Sequence, residues 1–156
     1  MTDLLRIYAK KAFFLILFFV FMFCRAGSAA TPSVLMNGSM LPPDVTADIR
    51  NGEVMIPLSQ SLALALDATL DASIQDSRIV AIVNAFGRRL EFTEGQAVFY
   101  VDGVEKSLPV APYEEPGGIL MVPAVPFFEA IDATAQWNSA QMKLFVSKKV
   151  MPKDVA

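Results

Sequence analysis

The fold is decided by Ile119-Leu-Met-Val-Pro-Ala-Val-Pro-Phe-Phe-Glu-Ala-Ile-Asp-Ala-Thr-Ala-Gln-Trp-Asn-Ser-Ala-Gln-Met-Lys-Leu-Phe-Val-Ser147. Ile119–Val122 is apolar enough for a short strand that leads into Pro123. Val125, Phe128 and Ile131 recur at near-helical spacing, which predicts a helix from about Pro126 to Ile131. Thr134–Trp137 and Met142–Val146 then read as a hairpin around Asn138–Gln141. Strand side chains alternate faces, so Met142, Leu144 and Val146 are expected to point inward together.

A diverged copy lies upstream. Met55-Ile-Pro-Leu58 answers Met121-Val-Pro-Ala124, and Leu66-Asp-Ala-Thr69 answers Ile131-Asp-Ala-Thr134. Asn37-Gly38 precedes Pro57 by about the distance that Asp102-Gly103 precedes Pro123. Each copy reads as hairpin, strand, helix, hairpin, and one copy alone can hardly bury its helix stripe. The expected fold class is therefore α+β. Two pseudo-repeated units share one core, with mostly antiparallel sheet packed on short helices.

The rest of the chain fills in around these copies. Asn37-Gly38, Asn51-Gly52 and Asp102-Gly103 are hairpin signals, because such pairs accept the positive φ angles of a tight turn. Ser33–Met36 is a small strand candidate, Pro42-Pro43 an extended segment, and Val45–Arg50 with Glu53–Ile56 a hairpin. Pro57 is expected to open a helix over Leu58–Leu66, whose face is lined by Leu58, Leu62 and Leu66. Asp67–Leu70 leads out, Ser73–Ser77 makes a polar turn, and Arg78–Ala85 suits a central strand. Gly87 breaks that strand before the alternating Arg88–Phe92. Gln96–Val101 and Val104–Leu108 flank Asp102-Gly103, and Pro109–Gly118 reads as a loop.

Residues 1–30 have the three parts of a secretory signal. Arg6, Lys10 and Lys11 are basic, Ala12–Cys24 is apolar, and Ser28 and Ala30 suit cleavage before residue 31. The apolar run is 13 residues long, short of the roughly 20 of a comfortable span. An uncleaved anchor remains the alternative. Either way residues 31–150 are expected to be an exported domain, with 151–156 a frayed tail. Cys24 is the only cysteine and lies in the leader without a lipoprotein pattern. The exported part must then rely on its apolar core rather than on disulfides.

Four of the 13 basic and one of the 16 acidic residues precede residue 31, leaving 9 against 15, a net charge of −6. An acidic surface without a basic stripe speaks against nucleic acid as a partner.

Asp102-Gly103, Met121-Val-Pro123, Phe127–Ala133, Trp137-Asn138 and Lys143–Val146 carry a resemblance. Together they resemble the copper amine oxidase N-terminal domain, also called the stalk domain, over nearly all of residues 34–147. That family typically has Val-Pro-Leu-Arg at the helix start and Leu-Gly-Ala at its end. Here Ala124-Val-Pro126 and Ile131-Asp-Ala133 stand in those places, and Leu58-Ser59 replaces Leu-Arg in the first copy. The resemblance implies an exported bacterial module of one or two units, able in some members to dimerise. It also implies that oxidase activity belongs to a separate large domain, for which this chain is expected to have no room.

The residues offer little chemistry. With no histidine, and no cysteine beyond the leader, the ligands that suit copper and the usual nucleophile–base pairs are missing. No catalytic, cofactor-binding or metal residue is therefore assigned, and no cofactor is expected. Glu91 with Glu94, or Glu114 with Glu115, are conceivable as an acid/base pair or a calcium site; adjacent Glu114-Glu115 read first as solvated charges, and no calcium loop of the Asp-x-Asp-x-Asp-Gly kind is present. Trp137 is a conceivable stacking platform, read first as packing, and Asn37-Gly-Ser39 fits a glycosylation pattern but reads first as a turn. The expected function is an exported, non-catalytic stalk-type module that binds or spaces components at the cell envelope. Its partner would be a cell-wall or envelope component or an exported protein, with membrane contact only through residues 1–30. The alternatives are a structural dimerisation subunit, as a homodimer, and a small carboxylate-dependent hydrolase of envelope polysaccharide.

Overall fold

Two-residue turns organise most of the strands. Asn37-Gly38, Asn51-Gly52, Asp76-Ser77, Phe86-Gly87 and Asp102-Gly103 all hold both residues at positive φ. This mirror-image turn matches the right-handed twist of the strands it joins. The computed structural model describes residues 31–148; residues 1–30, read above as a secretory signal with Cys24, and residues 149–156, with the expected frayed end, lie outside the described residues. None of the described helices is long and apolar enough to cross a membrane.

The turns join β1 (Ser33–Met36) to β2 (Ser39–Met40), and β3 (Asp48–Arg50) to β4 (Glu53–Pro57). They also join β5 (Thr69–Gln75) to β6 (Arg78–Ala85) and on to β7 (Arg88–Thr93). β8 (Val98–Val101) meets β9 (Val104–Ser107) in the same way. β10 (Tyr113–Glu115), β11 (Ile119–Pro123), β12 (Ala133–Asn138) and β13 (Lys143–Lys148) complete the set. Two helices, α1 (Gln60–Ala65) and α2 (Ala124–Ala130), follow β4 and β11. Among the described residues the fold is thus mostly antiparallel β-sheet with two short helices, an α+β arrangement.

The described strands form three sheets. One is the meander β5-β6-β7-β8-β9, another runs β10-β11-β4-β3, and the third runs β12-β13-β1-β2. β1 and β13, from opposite ends of the described chain, lie parallel. The core is continuous across all three. Phe92 on β7 stacks on Phe99 at 4.9 Å, and Phe127 of α2 meets Phe92 at 6.1 Å and Phe128 at 5.1 Å. Leu144 and Val146 point inward as expected. Met142 is only half-buried and takes φ 52° in the turn before β13.

Several expectations need correction. α1 does not begin at Pro57, which ends β4 opposite Met121. Leu58 is held by its amide on the Leu120 carbonyl at 2.9 Å, and Ser59 caps the helix by accepting from the Leu62 amide. α2 begins at Ala124, two residues before Pro126, which fits the first turn because its N–H would have no partner there. Val45–Thr46 is not part of β3; it follows a turn in which the Val45 amide donates to Pro42. Residues 69–75, read as a lead-out and turn, form the seven-residue strand β5. The loop 109–118 contains β10, which pairs with β11.

The recurring Asp-Ala-Thr is a helix stop. Asp67 and Asp132 sit at φ 51° and 58°, just past the last turn of α1 and α2. After α1 the Ala68 amide donates to Ala63 at 2.8 Å and the Asp67 amide to Leu64, the double closure that left-handed residues allow. The two-unit reading maps onto the strands only in part. Ile56 lies opposite Val122, its counterpart in the other copy. β7, however, separates β6 from β8, whereas their counterparts β13 and β1 pair directly.

Candidate functional site

The sequence offered four glutamates, and strand geometry redistributes them. Glu91 sits on β7 beside Tyr100, within reach of the Arg89 guanidinium at 3.4 Å. Glu94 faces a different concavity, a groove of about 260 Å³ whose lining includes Ile74, Arg78, Ile79 and Glu114. Glu115 lies on the opposite face of β10 from Glu114, since neighbouring strand residues alternate. Neither sequence pair is brought together; Glu94 and Glu114 share a groove instead. Glu94 Oε2 accepts from the Ile79 amide at 3.1 Å, and its own amide donates to the Ile79 carbonyl. Glu94 thereby extends the β6–β7 ladder, which is a structural task.

Trp137 is half-buried on β12 and packs against the core. Asn37 holds the left-handed turn position, and its side-chain oxygen accepts from the Lys148 amide at 3.0 Å. Arg88 binds Asp102 at 3.0 Å and approaches Asp132 at 3.8 Å, tying two turns together. The Arg89 amide first, then Arg88, hold the Asp102 carboxyl below its usual range. Exposed pairs of this kind add little stability.

A different cluster has more of the character of a binding site. β3 presents Asp48 and Arg50 on one face, two residues apart, and β10 presents Tyr113. The Tyr113 hydroxyl donates to Asp48 Oδ2 at 2.7 Å, and the Arg50 guanidinium carbon lies 3.9 Å from the Tyr113 ring centre. β3 and β10 are the two edges of one four-stranded sheet, so these contacts reach across its face. Burial first, and then the Asp48 carboxylate, push the Tyr113 phenol up to about 12.

Beside this cluster runs a groove of about 460 Å³, lined by Arg50, Glu53, Pro109, Pro112 and Tyr113 among others. Its walls combine proline rings, a stacked Arg–Tyr pair and a carboxylate. Such a surface suits an extended ligand held by stacking and charge-assisted hydrogen bonds. It holds no nucleophile paired with a base. Sequence reasoning named the 109–118 loop but missed Arg50 and Asp48. The only local signal was their i, i+2 spacing, and nothing local joins them to Tyr113, 65 residues beyond Asp48.

The donor set does not fit copper. The chain has no histidine, and no three His, Cys, Asp or Glu side chains gather among the described residues. No match is found among curated proteins or among solved structures. Residues 35–146 do match the copper amine oxidase N-terminal domain, a family that is non-catalytic in other proteins, and the chain belongs to that family.

Proposed function

We propose that the chain is an exported, non-catalytic module that binds or spaces components at the cell envelope through the Arg50–Tyr113 groove. The family match across residues 35–146 supports this reading, because the family is non-catalytic in other proteins and the match covers nearly all of the described residues. The groove supports it, since stacking and hydrogen bonding hold a ligand without transforming it. The basic, apolar and small-residue segments of residues 1–30 support export. The two copies of the Pro–helix–Asp-Ala-Thr pattern support an origin of the module in a duplicated unit.

A structural subunit that self-associates is the second reading, favoured by the long open edge of β5. The carboxylate hydrolase is not favoured, because Glu94 is engaged with the Ile79 backbone.

Cell fractionation tests the proposal. The chain is produced with its own N-terminus and followed in cytoplasm, envelope and medium. Recovery in the envelope or medium is expected, either shortened at Ala30 or at full length. Recovery confined to the cytoplasm would overturn the export reading.

A further inference from the structure

We infer that β5 pairs with β5 of a second copy of this chain, antiparallel about a two-fold axis at Ala72, joining two five-stranded meanders into one sheet. The inference concerns self-association alone and does not depend on export or on the Arg50–Tyr113 groove.

β5 is the longest of the sheet edges, at seven residues. β12 has six, β9 four, β3 and β10 three each, and β2 two. Proteins usually blunt such edges with lysine, proline or bulges. Thr69-Leu-Asp-Ala-Ser-Ile-Gln75 has none of these, and every residue but Leu70 is exposed. Ile74 is 78% exposed.

The ladder fixes which backbone groups point outward. The two-residue turn at Asp76-Ser77 makes Gln75 and Arg78 the closing hydrogen-bonded pair. Ser73, Asp71 and Thr69 then also bond to β6, while Ile74, Ala72 and Leu70 turn their N–H and C=O groups to the open side. The Leu70 carbonyl bears this out by accepting from the Gln60 side chain at 3.3 Å, an exposed bond that an incoming strand would replace.

The outward set is self-complementary. A two-fold axis at Ala72 sets Ala72 against its own copy and Leu70 against Ile74. Each of these three pairs exchanges two bonds, about six in all. Asp71, the only charge on the strand, falls opposite Ser73, so no like charges meet. Ala72 at the axis is small enough to admit close approach. Leu70, Ala72 and Ile74 lie on the same face as Ile79, Ala81 and Val83, which are core residues. Pairing therefore continues the apolar face of the meander and covers Ile74.

Cysteine scanning tests the register. In the full chain carrying Cys24→Ser, Ala72→Cys and Ser73→Cys are each exposed to mild oxidant. Cα atoms facing each other at the axis lie roughly 5.5 Å apart, within disulfide reach. Two residue-73 positions are offset along the strands and fall outside it. At least a tenfold excess of cross-linked dimer for Ala72→Cys is expected. Equal cross-linking at both sites, or none at either, overturns the proposal. As a second readout that needs no cysteine, Ala72→Lys and Ala72→Glu should each be monomeric alone and form a mixed dimer when combined. Dimers of unchanged strength in either single variant also overturn it.

Discussion

The two helix–hairpin segments, residues 57–85 and 123–148, start from similar sequence and are held by different forces. α1 has a side-chain cap from Ser59 and a fully closed C-terminus, but it buries only Leu62 and Ala63 and leaves Leu64 80% exposed. α2 has no side-chain cap, yet it buries Ala124, Phe127 and Phe128, with the Phe127 ring 6.1 Å from Phe92 of β7. Local hydrogen bonding supplements burial in the first helix, whose flanking Leu58 and Leu66 are buried with Leu62, and burial without a side-chain cap holds the second. A short helix is marginal by itself, so one of the two must be supplied.

This contrast can be broken in order of expected effect. Phe128→Ala removes a fully buried ring from the α2 seam and should destabilise the fold by about 3–5 kcal/mol in urea unfolding. Ser59→Ala should cost about 1 kcal/mol, since the Leu62 amide loses its cap. A Ser59→Ala loss as large as that of Phe128→Ala would end the distinction between the helices. Asp67→Gly should stabilise by about 0.5 kcal/mol, because glycine accepts the left-handed cap position without strain.

The tie between the two halves gives the smallest effect at neutral pH. Asp48 comes from the first half and Tyr113 from the second. The folded phenol is held at about 12, above the ordinary value of about 10. Its contribution is therefore present below pH about 10 and is lost as pH rises through about 12. Ultraviolet titration should show a late tyrosine transition in that window. Tyr113→Phe should abolish it while changing neutral-pH stability by less than about 1 kcal/mol.

What was legible in the sequence followed from local chemistry. Asn37-Gly38, Asn51-Gly52 and Asp102-Gly103 marked turns because their backbone demands are strict. β6 and β11 were legible because buried strands must be apolar. β5 was not, because an exposed edge needs no apolar alternation and its polar residues mimic a turn. β10 was hidden among prolines that an edge strand tolerates. Asp76-Ser77 takes the same turn as the glycine pairs without a glycine to announce it. The glutamate pairs failed as pairs because strand alternation and the β6–β7 ladder separate neighbours in sequence. The Arg50–Tyr113 cluster depends on side chains from opposite edges of one sheet meeting across its face, and no window of sequence contains both.

The most direct test of the account is co-sedimentation of the protein with purified cell-wall and envelope fractions, comparing wild type with an Arg50→Ala/Tyr113→Ala variant. The account predicts that the wild type is retained and that the variant, folded by circular dichroism, binds roughly tenfold or more weakly. Equal retention of both proteins, or no retention of the wild type, would contradict it.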